Sequence, residues 1–456
     1  MPKEPGRNVR SSTRRAVLKA GLGLAGLGAG VAATPLGALA QDQAWYDTIF
    51  GKGNSASVRN TSVERPSARE VDLRDLREGK TPWLSDVMLQ RIDEAIERYR
   101  QIVSSGGWPQ VPGPRMMRPN DDDERVPALR RRLLISGELA RNSTYYESYG
   151  FDSELEAAVV RFQSRHGLKP TGRVDRPTFA ALNVTAEMRL DQLRLNRRRI
   201  EELLRGRVDN RYVLVNIPAF QLEAVESFEV HQRHRVIAGR TERQTPEIRA
   251  TIRALNFFPY WHVPDSVARL DLVPRMQKDP EYLAREHIRA YRGGDYNQEI
   301  ALETIDWYNV DINHVKFRQD PGPWNALGLV RIDMPNADIV YMHDTPMKQL
   351  FGQASRGYSA GCVRVQNVFD LVDWLARYEV GWENPGQAQA VVDAGMPLDV
   401  SLTRPVPVVF AYITAWGEPG GIAQFRPDLY NRDGSRAFAV EADPEDLPPV
   451  GNDLAP

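Results

Sequence analysis

From Arg211 onward the sequence leaves helical spacing and becomes a succession of short β-like runs. "YVLVNIPAFQLEAV" opens as a continuous apolar strand and then alternates, "HRVIAGR" and "RATIRALNFFPYW" follow, and "ADIVYMHD" and "VPVVFAYITAW" come later. A continuous apolar run suits a strand buried on both faces, and alternation suits one buried on a single face. Spread over roughly 200 residues with few long helices between them, these runs specify a mostly β domain at 211–416. Between Trp261 and Pro335 the texture differs: "PDSVARLDLVPRMQ" and "DPEYLAREHIRAY" carry helical spacing, and polar and aromatic loop material follows. This piece, 262–335, is expected to be a helical insertion between sheet strands, and long insertions over a sheet commonly act as lids.

Upstream the signals are helical, which makes the whole chain an α+β multidomain protein. Leu89, Ile92, Ile96 and Tyr99 recur at helical spacing after Ser85, and Gly106 and Gly107 end that helix, giving a helical scaffold segment at 81–125. Residues 126–184 form a compact unit of three helices: "VPALRRRLLISGEL" stopping near Gly137, "FDSELEAAVVRFQSRHGL" capped by Asp152 or Ser153, and "DRPTFAALNV" after the turn "KPTGRV". Leu129, Leu133, Leu155, Val159, Phe162, Leu168 and Leu182 are its expected core. Through "AVVRFQSRHGLKPTGRVDRPTFAAL", with Phe162, Gln163, Gly167, Leu168, Gly172, Thr178 and Leu182 on the pattern, the unit resembles the three-helix peptidoglycan-binding domain. The resemblance implies contact with glycan or stem peptide; the alternative is a scaffold role. A further scaffold helix in 185–210 carries Leu190, Leu193 and Ile200 on one face and Arg194, Arg197, Arg198 and Arg199 near the other, a charge run that reads as a solvated face.

With 59 basic against 60 acidic side chains and a net charge of -1, the chain has no global field to gather nucleic acid. Its single cysteine excludes an intramolecular disulfide. The N-terminus indicates the compartment. "SSTRRAVLKAGLGLAGLGAGVAATPLGALAQ" has paired Arg14 and Arg15, a Gly-rich apolar run from Ala20 to Ala33 and Ala38-Leu39-Ala40 before Gln41, and so looks like a twin-arginine signal cleaved at 1–40. A linker at 41–80 follows, and no later stretch reaches the roughly 18 apolar residues of a membrane span, so the expected location is periplasmic. The extension at 417–456 ends in "VEADPEDLPPVGNDLAP", acidic and proline-containing, which reads as partly disordered.

The chemistry gathers at 341–371. Strand alternation in "ADIVYMHD" places Ile339, Tyr341 and His343 on one face, and a glycine-bearing loop then leads through Ser359 to Cys362 and on to a helix near Asn367. A free thiol is only a few per cent ionised at neutral pH, and an imidazole partner such as His343 raises that fraction through a thiolate–imidazolium pair. Ser359 has the chemistry to orient a partner, and Gly361 lets backbone N–H groups at Gly361 and Cys362 approach an oxyanion. Arg364 has the fork for a substrate carboxylate.

Tyr341-Met342-His343-Asp344-Thr345 followed by Ser359-Ala360-Gly361-Cys362-Val363-Arg364 resembles the signature of the L,D-transpeptidases, the YkuD-type domain with an HxT…SxGCxR pattern. With the three-helix unit and the insertion, the architecture is similar to the larger members that carry a capping subdomain. The resemblance implies Cys362 as nucleophile, His343 as its base, Ser359 as the residue orienting the histidine, and Gly361 and Arg364 on pattern. Many members have histidine where Ala360 stands, so that side chain is absent here. The implied reaction is acyl transfer: Cys362 attacks the third residue of a tetrapeptide stem, D-alanine leaves, and an amine of a second stem resolves the thioester, with no metal or other cofactor. Tyr341 and, more remotely, Trp324 are further candidates for lining the substrate groove. His231 and His234, three apart on a strand, fall on opposite faces and make a poor metal pair. The rival readings are a cell-wall cysteine peptidase or amidase using the same pair, and a non-catalytic peptidoglycan-binding protein.

Overall fold

The computed structural model describes residues 75–113, 115–140, 148–206 and 209–438. The twin-arginine stretch, the linker up to residue 74 and the tail after 438 lie outside the described residues. Among the described residues, no helix is long and apolar enough to cross a membrane.

Nine strands make the main sheet: β1 (Arg211–Asn216), β2 (Gln221–Glu226), β3 (Glu229–Gly239), β4 (Ile248–Phe257), β9 (Val330–Asp333), β10 (Met342–His343), β11 (Gly357–Ser359), β12 (Val363–Val365) and β13 (Leu398–Ala411). Their order is β11-β3-β12-β10-β9-β4-β13-β1-β2, and a further pairing of β2 with β3 joins the ends, so eight strands close into a ring with β11 attached to β3. Closure removes the unpaired edges that an open sheet exposes. The apolar run of β1 is explained by burial on both faces. Val213 and Val215 join one core with Val408 and Phe410 of β13 and with Leu371 and Val372 of a helix at Val368–Ala376. Tyr212 and Leu214 join a second core, with Val409 and Ala411.

That second core is where the helical segments lie. Helix α1 (Asp86–Ser104) starts at Ser85, whose side chain accepts from the Met88 N–H, a cap worth about 1 kcal/mol. Its Met88, Ile92, Ala95, Ile96 and Tyr99 pack with Leu190, Leu193 and Ile200 of the long helix at Ala186–Arg205 and with the hairpin of β14 (Ala415–Glu418) and β15 (Ile422–Phe425). A side chain at Gly417 would strike the backbone of Arg91, so this close approach requires glycine.

The three-helix unit contains α2 (Val126–Ser136), α3 (Ser153–Arg165) and α4 (Arg176–Leu182), and all seven anticipated core residues pack together, Leu168 partly buried. Val111 and Met117 from the preceding segment also enter this core, and Met117 bridges to Val174. The unit is docked on the β14–β15 hairpin: the His166 ring stacks between Phe162 (3.8 Å) and Phe425 (5.3 Å), and Arg165 Nη1 donates to the Ala423 carbonyl at 2.6 Å.

The piece between β4 and β9 departs from the helical expectation. It contains a four-stranded sheet in the order β5-β8-β6-β7, formed by β5 (Trp261–His262), β6 (Ile288–Arg292), β7 (Glu299–Ile300) and β8 (Val315–Gln319). Helix persists from Asp265 to Met276, but in "DPEYLAREHIRAY" only Tyr282–Arg285 is helical. His287, at φ +54°, then turns the chain into β6. The core of this piece includes Trp261, Leu272, Tyr282, Ile288 and Phe317. β9 pairs with β4 and β10 in the main sheet, so the inserted piece is a mixed α/β unit that ends before Val330.

Candidate active site

The parallel pairing of β10 with β12 matches Met342 to Val363 and His343 to Arg364, and the Val363 N–H donates to the Tyr341 carbonyl at 3.0 Å. Cys362 therefore stands beside Tyr341 and two residues along the ladder from His343. Met342 and Val363 are fully buried in the core. The rings of Tyr341 and His343 meet edge to face at 5.8 Å. Ile339 does not continue this face. It sits at φ +56° and is 79% exposed, because Asn336 Nδ2 donates to the Met334 and Val340 carbonyls and closes a turn before the strand begins.

The turn carrying Cys362 is fixed by side chains. Gly361 has φ +125°, a region that L side chains rarely enter. Ser359 Oγ accepts the Gly361 N–H at 3.1 Å and donates to the Cys362 carbonyl at 2.6 Å. Ser359, expected to orient His343, thus binds the cysteine's own turn. The Gly361 N–H is occupied by that contact, while no acceptor among the described residues takes the Cys362 N–H. From outside the motif, Thr245 Oγ1 donates to the Gly361 carbonyl at 2.9 Å and accepts the Gly239 N–H at 2.8 Å. The Tyr430 hydroxyl accepts the Thr245 N–H at 3.1 Å and donates to the Gly239 carbonyl at 2.7 Å. Sequence reasoning missed both residues, and no local pattern marks either.

His343 is fully buried and oriented by backbone: Nδ1 lies 2.5 Å from the Asp344 carbonyl and must donate to it, which leaves the lone pair on Nε2. Among the described residues Nε2 makes no hydrogen bond, and the Leu327 carbonyl is the further backbone group against the ring. Burial, reinforced by the Arg364 guanidinium, pushes the imidazole pKa down to about 3. Burial also pushes the Cys362 thiol up to about 11, against the opposing pull of hydrogen bonds from Tyr341 and of the Arg364 charge. Both shifts favour the neutral thiol and the neutral imidazole over the ion pair expected from sequence. The Tyr341 hydroxyl contacts the thiol and also meets the buried Trp261 indole of the inserted piece.

Arg364 is 1% exposed, with Nη1 against Met347 Sδ at 3.8 Å, so in this state it acts on the site through its charge and is not open to a substrate carboxylate. Trp324, 40% exposed, stacks on His287 at 4.1 Å, and its described contacts lie within the inserted piece. That piece reaches the site through Tyr341 and Ala360, which pack on its core. It also clamps the Thr245 loop, where Asp271 pairs with Arg243 (2.5 Å) and Arg240 (3.6 Å). His231 is exposed, whereas His234 is buried between the Gln366 carbonyl and Gln232 Oε1. Among the described residues no group of three or more His, Cys, Asp or Glu is placed to hold a metal ion.

Residues 210–408 match the YkuD family, described as the L,D-transpeptidase catalytic domain, and residues 122–182 match the family described as "Putative peptidoglycan binding domain". A curated protein of Haemophilus influenzae named "Putative L,D-transpeptidase" is 31% identical over 258 residues, 56% of this chain and 50% of that one. The chain thus spans about half the length of the curated relative it matches. Among solved structures, an L,D-transpeptidase of Stackebrandtia nassauensis is 13% identical with a TM-score of 0.24, covering 67% of this chain and 97% of that one. An L,D-transpeptidase of Xylanimonas cellulosilytica is 14% identical with a TM-score of 0.21, covering 66% and 98%.

Proposed function

From a chain that carries a YkuD-type L,D-transpeptidase catalytic domain and a peptidoglycan-binding domain, we infer an exported enzyme that cross-links or remodels peptidoglycan by acyl transfer through Cys362. The single observation that carries this reading is the β10–β12 ladder, which sets the only cysteine beside Tyr341 and two residues along from a histidine whose Nε2 makes no hydrogen bond among the described residues.

In this reading Cys362 Sγ attacks the carbonyl carbon of the third residue of a tetrapeptide stem as its proton passes to His343 Nε2. Because both groups rest in their neutral forms, proton transfer accompanies attack and does not precede it. Among the described residues no hydrogen bond joins Sγ to Nε2; catalytic hydrogen bonds commonly form only once substrate is present. The oxyanion forms against the Cys362 N–H, and its collapse returns the proton from His343 to the departing amine. D-Alanine leaves and a thioester remains. The amine of an acceptor stem then attacks the thioester carbon, gives its proton through His343 to the sulfur, and restores the thiol. The inserted piece, resting on Tyr341 and Ala360, is the natural cover for the thioester against water. The three-helix unit, docked on the β14–β15 hairpin, serves as a fixed contact for glycan or stem.

Intact-mass and fragment analysis after incubation with a disaccharide tetrapeptide, run beside Cys362→Ala, tests the reading. Loss of D-alanine with a cross-linked dimer, both absent in the variant, is the expected result. D-Alanine release without dimer identifies a hydrolase instead, and an untouched substrate identifies a binding protein.

A further inference from the structure

The matched catalytic family ends at residue 408, yet a side chain beyond that limit reaches the cysteine turn through one intermediate. We propose that Thr245 and Tyr430 are positioning residues that aim the Cys362 N–H at the oxyanion, so that the segment after β13 is a working part of the active site. This rests on the acyl-transfer reading above.

The argument is one of peptide geometry. In a trans peptide the carbonyl oxygen of one residue and the N–H of the next point to opposite sides of the plane. The peptide joining Gly361 to Cys362 is held at its oxygen by Thr245 Oγ1 at 2.9 Å, which fixes the Cys362 N–H in the opposite direction. The planes on either side are held too, since Ser359 binds the Gly361 N–H and the Cys362 carbonyl. Gly361, at φ +125°, places little steric restriction of its own on this peptide, so the torque must come from the hydrogen bonds.

Thr245 is itself held at both ends. Its hydroxyl accepts from Gly239 and its N–H donates to Tyr430. All three side chains, Ser359, Thr245 and Tyr430, are buried. Tyr430 is seated in turn by its own N–H, which donates to the Tyr412 hydroxyl at 2.7 Å, and Tyr412 donates to Asp428 Oδ1 at 2.6 Å. These bonds span 116 and 185 residues of sequence, so the turn is set from two distant segments at once.

A misaimed oxyanion donor weakens attack on a carbonyl but leaves attack on an alkyl halide untouched, because alkylation builds no oxyanion. Two rates at Cys362 therefore test the proposal in the full chain: acylation by an activated aryl ester and alkylation by iodoacetamide, each followed by intact mass. Removing one oxyanion donor outright typically costs about 10²–10³-fold, so Thr245→Val, which only frees the peptide to rotate, is expected to slow acylation by roughly 10–100-fold with alkylation unchanged. Thr245→Ser restores acylation, and Tyr430→Phe lowers it by a smaller factor. Parallel loss of both rates, no loss of either, or a wild-type cysteine that is alkylated but never acylated overturns the proposal. The aryl ester separates this test from the transpeptidase reading: ester acylation that depends on Thr245, beside an untouched tetrapeptide, refutes the substrate and keeps the positioning role.

Discussion

Around Cys362 the polar groups of the turn are held from three sides, by Ser359, by Thr245 and, through Thr245, by Tyr430. Across the ladder His343 is held at Nδ1 by the Asp344 carbonyl, and Nε2 makes no hydrogen bond among the described residues, with the Leu327 carbonyl the further backbone group against the ring. The contrast separates two requirements of acyl transfer. A donor for developing charge works best when already aimed, because no reorganisation remains at the moment of reaction. A base must keep its lone pair available. A buried polar atom without a partner costs about 1–3 kcal/mol, and proton uptake during attack relieves that cost. In the proposed reaction the site is held where negative charge would arrive and unsatisfied where a proton would arrive.

Removing the open half should give the largest effect. His343→Asn is expected to slow acylation of Cys362 by about 10²–10⁴-fold while the fold persists by circular dichroism; a rate near wild type would assign the base elsewhere. Opening the closed half is milder. Ser359→Ala deprives the Gly361 N–H and the Cys362 carbonyl of their buried partner and should lower unfolding stability in urea by about 1–3 kcal/mol. Its pH–rate profile should keep the wild-type shape, whereas a displaced profile would restore Ser359 as an orienter of His343.

The two halves should also differ in acid. The folded state holds His343 neutral to about pH 3, while the unfolded chain takes a proton near 6.5. Its contribution to stability is therefore complete above pH 6.5 and is lost as pH falls toward 3. Between pH 7.5 and 5 this loss amounts to about 2 kcal/mol, and it should be seen in wild type and Ser359→Ala but be absent from His343→Asn. The smallest effect is expected for Tyr341→Phe. Loss of the hydroxyl against the thiol should raise the thiol pKa further and slow iodoacetamide alkylation at pH 8 by about 2–10-fold, and unchanged alkylation would remove Tyr341 from the site.

What the sequence made legible was local. The helix start near Ser85, the cap at Asp152, the core of the three-helix unit and the spacing of the His343 and Cys362 motifs are short-range patterns, and the structure holds them. What escaped depends on distant partners. "IRAY" reads as the end of a helix-spaced run and becomes strand because β8 lies beside it. Ile339 has the strand period, but the Asn336 side chain takes the backbone into a turn first. Thr245 and Tyr430 are ordinary residues by any local measure, and only folding brings them to Gly361. Ser359 was found by its motif, but its hydroxyl partners are Gly361 and Cys362, because a motif names residues and not the direction of a hydroxyl.

Ring closure bears on the order of events in folding. Val213–Asn216 of β1 pair with Val408–Ala411 of β13, so the last strand of the ring lies beside the first, and Tyr430 comes later still. Pairings this far apart in sequence are slow to form, because a long loop must close before any hydrogen bond rewards it. A nascent chain that already contains Cys362 and His343 still lacks the strand that seals the ring and the tyrosine that seats Thr245. The geometry described for the Cys362 turn is thus complete only once a segment as late in the sequence as Tyr430 has folded against it.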